Sequence, residues 1–239
     1  MMHASVSEVF CSVQGEGPYV GRRQAFVRFT GCNLKCNYCD THVGVTNVCN
    51  FEKIPGSGVF QKVDNPITSE RLKELVCSYS GLHSVSLTGG EPLLHADIIS
   101  SLDIGIPLYL ESNMTLPNMA RKIKDRFSYV SGDVKILPYS LLEEPDLHLE
   151  NTIECFRVLR TTKHRDCFCK IVVTKDTQID DIEGVIGAIS GYISCLILQP
   201  VTQKNMQPET GYLLSMQQSL LDHVDTRIIP QTHKMWGCL

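Results

Sequence analysis

The sequence predicts an α/β fold, an incomplete barrel of the (β/α)6 type with parallel strands inside and helices outside. Three observations carry this expectation. Short apolar runs alternate with segments of helical character along most of the chain, the pattern of βα units and a parallel sheet. About six such units can be traced, which suits an open barrel better than a closed eight-fold one needing ~250 residues for its repeats. The glycines, cysteines and polar residues that interrupt the pattern fall just after the apolar runs. That is where α/β folds gather ligands, beyond the carboxyl ends of the strands.

Residues 25–31 (AFVRFTG) read as a strand entering a loop that carries Cys32, Cys36 and Cys39. Residues 43–66 are rich in Gly, Asn, Val and Pro and predict an excursion with room for a hairpin. Thr68-Ser69-Glu70 can cap a helix reaching about residue 79. Residues 84–92 (SVSLTGGEP) combine a strand, a glycine turn and a proline suited to a first helical turn. A strand over 106–113, a helix over 116–126 and a strand over 129–136 follow. The pattern continues with a helix over 151–162, a buried strand over 167–174 and a helix over 179–189. A strand over 194–201, a helix over 212–223 and a short run at 227–229 complete it. No internal repeat is visible, and residues 1–239 read as a single domain.

The 239 residues are 43% hydrophobic and 20% charged, enough for one sizeable core. A net charge of −4 lacks the basic balance of a phosphate-tracking surface. Nucleic acid is therefore not expected as a partner, and a small molecule is. The opening MMHASVSEVFCSVQGEG shows no charged segment followed by an apolar core. No apolar run approaches the ~20 residues of a membrane span. The expectation is a cytoplasmic protein with no membrane partner. Eleven cysteines, an odd number, argue against a disulfide framework. Most of those outside the loop are expected to act as small buried apolar groups. Cys167 and Cys169, two apart on a strand, would share one face.

The stretch FTGCNLKCNYCDT sets three cysteines in a C-x3-C-x2-C spacing directly after a strand. A cubane iron–sulfur cluster normally takes four thiolates, so three would leave one iron open to another ligand. Zinc is the competing occupant, since a Cys3His site could recruit His42, and Cys49 is also near. The glycines of LTGGEP, about 50 residues further on, would let the backbone approach a ligand closely. A simple strand-to-helix turn would use them too.

The cysteine spacing after a parallel strand, followed by GGEP, resembles the radical S-adenosylmethionine (SAM) superfamily. FCSVQGEGPYVGRRQAFVRFTGCNLKCNYCDT (residues 10–41), LQP (198–200) and PQTHK (230–234) narrow this. Together they resemble the 7-carboxy-7-deazaguanine synthases over nearly the whole chain. The resemblance implies a modified, incomplete (β/α)6 barrel of the radical SAM kind. It implies conversion of 6-carboxy-5,6,7,8-tetrahydropterin to 7-carboxy-7-deazaguanine with loss of ammonia. This ring contraction lies on the route to queuosine, archaeosine and related 7-deazapurines. The implied cofactors are a [4Fe-4S] cluster, S-adenosyl-L-methionine and Mg2+. The implied partners are the pterin, an electron donor and a second copy of the chain in a homodimer.

By the same resemblance Cys32, Cys36 and Cys39 hold the cluster, whose open iron chelates SAM. Reduction would release a 5′-deoxyadenosyl radical that takes hydrogen from C6 of the pterin. Tyr38, Cys39 and Asp40 would meet the adenine, and Gly90 the methionyl amine. Asp133, Val134, Lys135, Gln199 and Pro200 would complete the SAM pocket. Thr41 matches a Mg2+ position, a hydroxyl being a hard ligand for an ion that takes few protein ligands. Substrate contacts would come from Val13, Gln14, Gly15, Arg28, Thr88, Gln231, His233 and Leu239. Arg28 can pair with the substrate carboxylate in bidentate fashion, and the α-carboxylate of Leu239 can accept from the pterin N–H edge. No side chain is assigned a catalytic role beyond the cluster and SAM. Plainer readings stand beside these: Arg28 as a surface charge, Thr41 as a helix cap, His233 as an exposed histidine.

Two stretches depart from the family pattern. Ser112-Asn113-Met114 stands where many members have Thr-Asn-Gly, and Asp133-Val134-Lys135 differs from a Ser-Pro-Lys version. Two rivals remain: another radical SAM enzyme, such as an activase making a glycyl radical on a partner protein, and a zinc-stabilised binding module. The Gln14-Gly15-Glu16-Gly17 segment and the Gln231/His233 tail argue against the activase.

Overall fold

The computed structural model describes every residue except 1, 37, 38, 40–43, 45, 137–144 and 239, and the side chains of 145 and 146 are also left aside. The chain opens with β1 (His3–Ala4) and β2 (Val6–Val13), and β3 (Arg23–Phe29) folds back on β2. That pairing is antiparallel, with Glu8 opposite Arg28 and Phe10 opposite Phe26. Past the cysteine loop, β4 (Val48–Phe51) and β5 (Gln61–Asp64) make an antiparallel hairpin, and β4 adds to β2 in parallel. The excursion expected over 43–66 thus holds a hairpin that extends the sheet. β6 (Ile67–Thr68) pairs with β1 and leads into α1 (Ser69–Cys77), where the Thr68 hydroxyl accepts from the Arg71 N–H. That bond satisfies a donor which the first helical turn leaves open.

From β3 onward the sheet is parallel. β7 (Ser84–Gly89), β8 (Leu108–Ser112), β9 (Phe127–Asp133), β10 (Asp166–Val173), β11 (Leu196–Pro200) and β12 (Thr226–Ile228) add in chain order. Their crossovers carry α2 (Ala96–Ser101), α3 (Pro117–Ile123), α4 (Pro145–Leu159), α5 (Asp180–Ile189) and α6 (Thr210–Leu220), and α7 (His233–Trp236) follows the last strand. Among the described residues these ten strands, β2 to β5 and β7 to β12, form one sheet with β12 at one edge and β5 at the other. It does not close. The parallel series expected from the sequence corresponds to β3 and β7 to β11, with β12 as a further strand. The sequence pattern predicts no element before residue 25, so β1 and β2 are additions.

Strands covered on both faces read as unbroken apolar runs, and β10 (DCFCKIVV) shows how the faces divide. Cys167, Cys169, Ile171 and Val173 point to the main core beneath the helices, so the two cysteines do share a face. Phe168 points inward, to a smaller cluster with Tyr109, Cys195 and Ile197. Tyr19 plugs this inner cluster, packing on Tyr109, Tyr129 and Phe168 while its hydroxyl donates to Asp166 at 2.6 Å. Further along β10 on the same inner face, Lys170 and Val172 reach the cavity described below. Among the described residues no helix is long and apolar enough to cross a membrane.

Candidate active site at the carboxyl ends of the strands

A cavity of about 960 Å³ lies over the carboxyl ends of the parallel strands, at the upper end of the usual range for small-molecule sites. Cys32, Cys36 and Cys39 stand on its wall, as do Gly90, Asp133, Lys135 and Gln199 from the expected SAM positions. Val13, Gln14, Gly15, Arg28, Thr88, Gln231 and His233 from the expected substrate positions line the same space. Two expected SAM residues do not. The Val134 side chain packs in the apolar core and its N–H donates to the Lys170 carbonyl, while Pro200 pairs in register with Val173 at the end of β11. Tyr38, Asp40, Thr41 and Leu239 lie outside the described residues.

The glycines after β7 are required by the chain itself. A Cβ on Gly89, whose φ is +117°, would come within 2.2 Å of the Phe29 carbonyl, and one on Gly90 within 1.8 Å of the Gly31 carbonyl. Gly90 N–H donates to Phe29 O at 3.0 Å and Glu91 N–H to Gly31 O at 2.8 Å. The turn therefore presses on the backbone that enters the cysteine loop and fixes where that loop begins. Sequence reading expected the close approach to be toward a ligand; it is made first toward this backbone.

Glu91 ties the turn to the end of β8. Its buried carboxylate accepts from Leu93 N–H at 3.0 Å, Ser112 Oγ at 2.8 Å and Asn113 N–H at 2.8 Å. Burial pushes its pKa up to about 7 despite those donors. Asn113 then donates to Asn33 Oδ1 at 3.0 Å and to Cys32 Sγ at 3.8 Å. Met114 sits at φ 57°, in the left-handed region that favours glycine. This chain thus keeps a glycine-type turn where its sequence departs from Thr-Asn-Gly.

The first cysteine is held on its other side as well, accepting from Leu34 N–H at 3.4 Å, and Cys39 N–H donates to the Cys36 carbonyl at 3.2 Å. Among the described residues no three His, Cys, Asp or Glu side chains come close enough together to share one metal ion. A zinc ion needs its ligands ~2.0–2.3 Å from one centre, whereas a cubane distributes its thiolates over separate irons. All three cysteines line the one cavity, and His42, which a zinc site could recruit, lies outside the described residues.

Opposite the cysteines, Gln14 donates to Gln24 and to Glu111, both at 3.0 Å, and accepts from Glu16 N–H at 3.0 Å. Glu111 also accepts from Ser86 at 2.8 Å and Thr88 at 3.0 Å. Sequence reading gave Glu111 no role, although an acid two residues on from an inner-facing tyrosine in a strand was a usable signal. Arg28 pairs with Glu8 at 3.1 Å and lies 5.6 Å over the ring of Phe10, which stacks on Phe26 at 5.1 Å.

A third group joins Asp133, Lys135 and Gln231, all expected from the sequence, to Glu16 and Lys170, which had no assigned role. Lys170 donates to Glu16 Oε2 at 2.5 Å and approaches Asp133 at 3.3 Å, while Lys135 meets Asp133 at 2.7 Å. Gln231 donates to the other Glu16 oxygen at 2.6 Å. Burial alone would raise the Glu16 pKa, but the Lys170 ammonium and the Gln231 amide bring it down to about 2. Burial alone would lower that of Lys170; Asp133 and Glu16 more than offset this and hold it well above its ordinary value. A lysine within an otherwise apolar strand was the signal in the sequence.

The chain matches the Radical SAM superfamily over residues 26–189. It is 41% identical to the 7-carboxy-7-deazaguanine synthase of Archaeoglobus fulgidus, over 99% of each chain. The chain belongs to the 7-carboxy-7-deazaguanine synthase family. The enzyme of that name from Geobacter sulfurreducens is 36% identical over 99% of this chain and 98% of its own. The crystal structure of QueE from Escherichia coli shares the fold, with a TM-score of 0.58 at 20% identity over 97% and 95% of the two chains. The superfamily match runs from within β3 to the end of α5. The Gln14–Glu16 segment and the Gln231/His233 tail fall outside it, but within the 99% of the chain that the match to the Archaeoglobus fulgidus synthase covers.

Proposed function

We propose that this protein is a radical SAM enzyme converting 6-carboxy-5,6,7,8-tetrahydropterin to 7-carboxy-7-deazaguanine with loss of ammonia. One observation carries the reading: a single cavity holds both the three-cysteine wall and the polar cradle of Gln14, Glu16 and Gln231. When bound, a [4Fe-4S] cluster and SAM supply the hydrogen-abstracting radical chemistry, fed by an external electron donor, with Mg2+ as a further cofactor. The protein's share is to bind, orient and exclude water.

Cys32, Cys36 and Cys39 would hold the cluster. Asp133, Lys135 and Gln199 would serve SAM, and Thr41 the Mg2+. Two buried acceptors support a ligand here: Asp133 Oδ1 and Gln199 Oε1 have no hydrogen-bond partner among the described residues. Such groups are normally satisfied, and donors on a bound molecule would do so. On the substrate side, the Phe10–Phe26 pair offers an apolar base, and Arg28 above it has the charge and fork to meet a carboxylate. Gln14, Thr88 and Glu111 present a mixed donor and acceptor edge suited to a guanine-like ring. A homodimer, a cytoplasmic location and a single domain over residues 1–239 complete the proposal.

The test is anaerobic: cluster-loaded, reduced protein with SAM, Mg2+ and the pterin, products read by mass spectrometry. 7-Carboxy-7-deazaguanine with SAM largely spared is the expected result. Release of 5′-deoxyadenosine without that product, from protein shown to hold its cluster, would overturn the substrate.

A further inference from the structure

Lys170 is the charge on which both halves of the cavity converge. It stands on the inner face of β10, and its ammonium meets Glu16 at 2.5 Å and Asp133 at 3.3 Å. Glu16 follows Gln14 and Gly15 in the loop after β2 and takes Gln231 of the tail on its other oxygen. Asp133 ends β9 and uses the oxygen nearest Lys170 to take Lys135 as well. Its remaining oxygen is buried with no hydrogen-bond partner among the described residues. The three side chains are only 12 to 19% exposed, so solvent screens these charges weakly.

Removal of the ammonium would leave the Glu16 carboxylate without its cation and Asp133 with Lys135 alone, an excess of poorly solvated negative charge. Buried like charges resolve such a conflict by taking up a proton or swinging apart. Either response moves groups on both the substrate side and the cofactor side.

We propose that Lys170 is a positioning residue that couples the two binding sites: one cation sets the place of Glu16 on the pterin side and of Asp133 on the SAM side. This rests on the functional reading above. Lys170 acts through the two carboxylates and is assigned no part in bond breaking.

The groups that face Glu16 are Lys170 from β10, Tyr109 from β8, and Gln231 and His233 from the tail, while Asp133 from β9 and Glu111 from β8 face Lys170. With Lys170 present Glu16 stays ionised throughout the neutral range. Without it, burial and the remaining acids favour the protonated form.

The experiment uses full-length, cluster-loaded protein without reductant, so that nothing turns over. Affinities for 6-carboxytetrahydropterin and for SAM are measured by anaerobic calorimetry at several pH values, for wild type, K170M, K170Q, K170R and K170M/E16Q. K170M and K170Q should each weaken both ligands by about tenfold or more, and K170R should restore most of both. Pterin affinity of K170M should fall toward acid pH relative to wild type, and that extra slope should vanish in K170M/E16Q. K170Q carries the test should the methionine variant not fold. Loss confined to one ligand, or variants that bind both as wild type does, would overturn the coupling. A wild type that binds SAM but no pterin would overturn the functional reading and the coupling with it.

Discussion

Thr232 gives both its backbone N–H and its hydroxyl to the carbonyl of Gly15, at 2.9 and 3.1 Å. Together with the Gln231–Glu16 bond, this acceptor seats the chain's tail on the loop after β2, and His233 is carried to the cavity wall. The contact leaves no room for a side chain: a Cβ on Gly15 would lie 2.1 Å from His233 Nδ1. Gly15→Ala should therefore displace the tail, and with it Gln231 from Glu16. The tail residues are partly exposed, so Tm and cluster content should stay near wild type. Turnover should fall by about 10²-fold, the usual consequence of a misplacement of ~1 Å near a reacting centre. Normal turnover in a folded G15A protein would show that the tail's seat is not needed.

Two buried carboxyls give stability opposite dependences on pH. Glu91 is raised to about 7, so the folded state binds its proton more tightly than the unfolded chain does. Its contribution is most favourable below the ordinary carboxyl range and is lost as pH rises through about 7, by on the order of 3 kcal/mol. Glu16 is lowered to about 2, so its contribution is present above the ordinary range and lost as pH falls toward 2. Thermal melts of the apoprotein from pH 3 to 8 should show both limbs. Glu91→Gln should remove most of the fall between about pH 5 and 7 and leave the acid limb in place. An unchanged upper limb in E91Q would mean that Glu91 is not the titrating group.

The order of strands and helices was legible because each strand of the parallel series is buried on both faces and each helix on one, which writes the period into the residues. The cysteine loop was legible because thiol spacing is chemistry that sequence displays directly. Glu111 stood out only as one of the polar residues after a strand, and Lys170 not at all, since their meaning depends on which strands become neighbours. Glu111 matters because β7, β2 and β8 bring Thr88, Gln14 and it together, and Lys170 because β9 and the loop after β2 meet at β10. β2 itself went unmarked because VSEVFCSV mixes buried and half-buried positions without a clean alternation. The glycines of GGEP were noticed, yet their constraint comes from β3 backbone that sequence spacing cannot place.

Met114 pairs a left-handed backbone, φ 57°, with a fully buried side chain. Glycine there would relieve roughly 1–2 kcal/mol of backbone strain but forfeit burial in the range of ~2–5 kcal/mol. Met114→Gly should lower Tm by about 2–10 °C and leave SAM affinity near wild type, since the turn that holds Asn113 is retained. Met114→Val, β-branched at positive φ, should lose both. Calorimetric melts and SAM binding measured side by side check this; equal SAM affinity in both variants would show that the turn is not needed for the cofactor.

Among the eleven cysteines two groups stand apart by position, and that difference predicts which of them matter. Cys32, Cys36 and Cys39 face the cavity, whereas Cys167 and Cys169 lie in the core beneath the helices, where burial pushes both thiols up and out of reach as thiolates. Cys36→Ala should abolish the brown colour, lower iron and acid-labile sulfide to background and stop turnover. Cys167→Ala removes a buried sulfur from packing, so it should cost about 1–2 kcal/mol of stability and keep the full iron content. Iron and sulfide assays on anaerobically reconstituted protein, with zinc measured on the same samples, separate the two readings of the loop. Zinc near one equivalent in wild type, with no sulfide and no colour, would replace the cluster with a structural ion and withdraw the radical chemistry built on it.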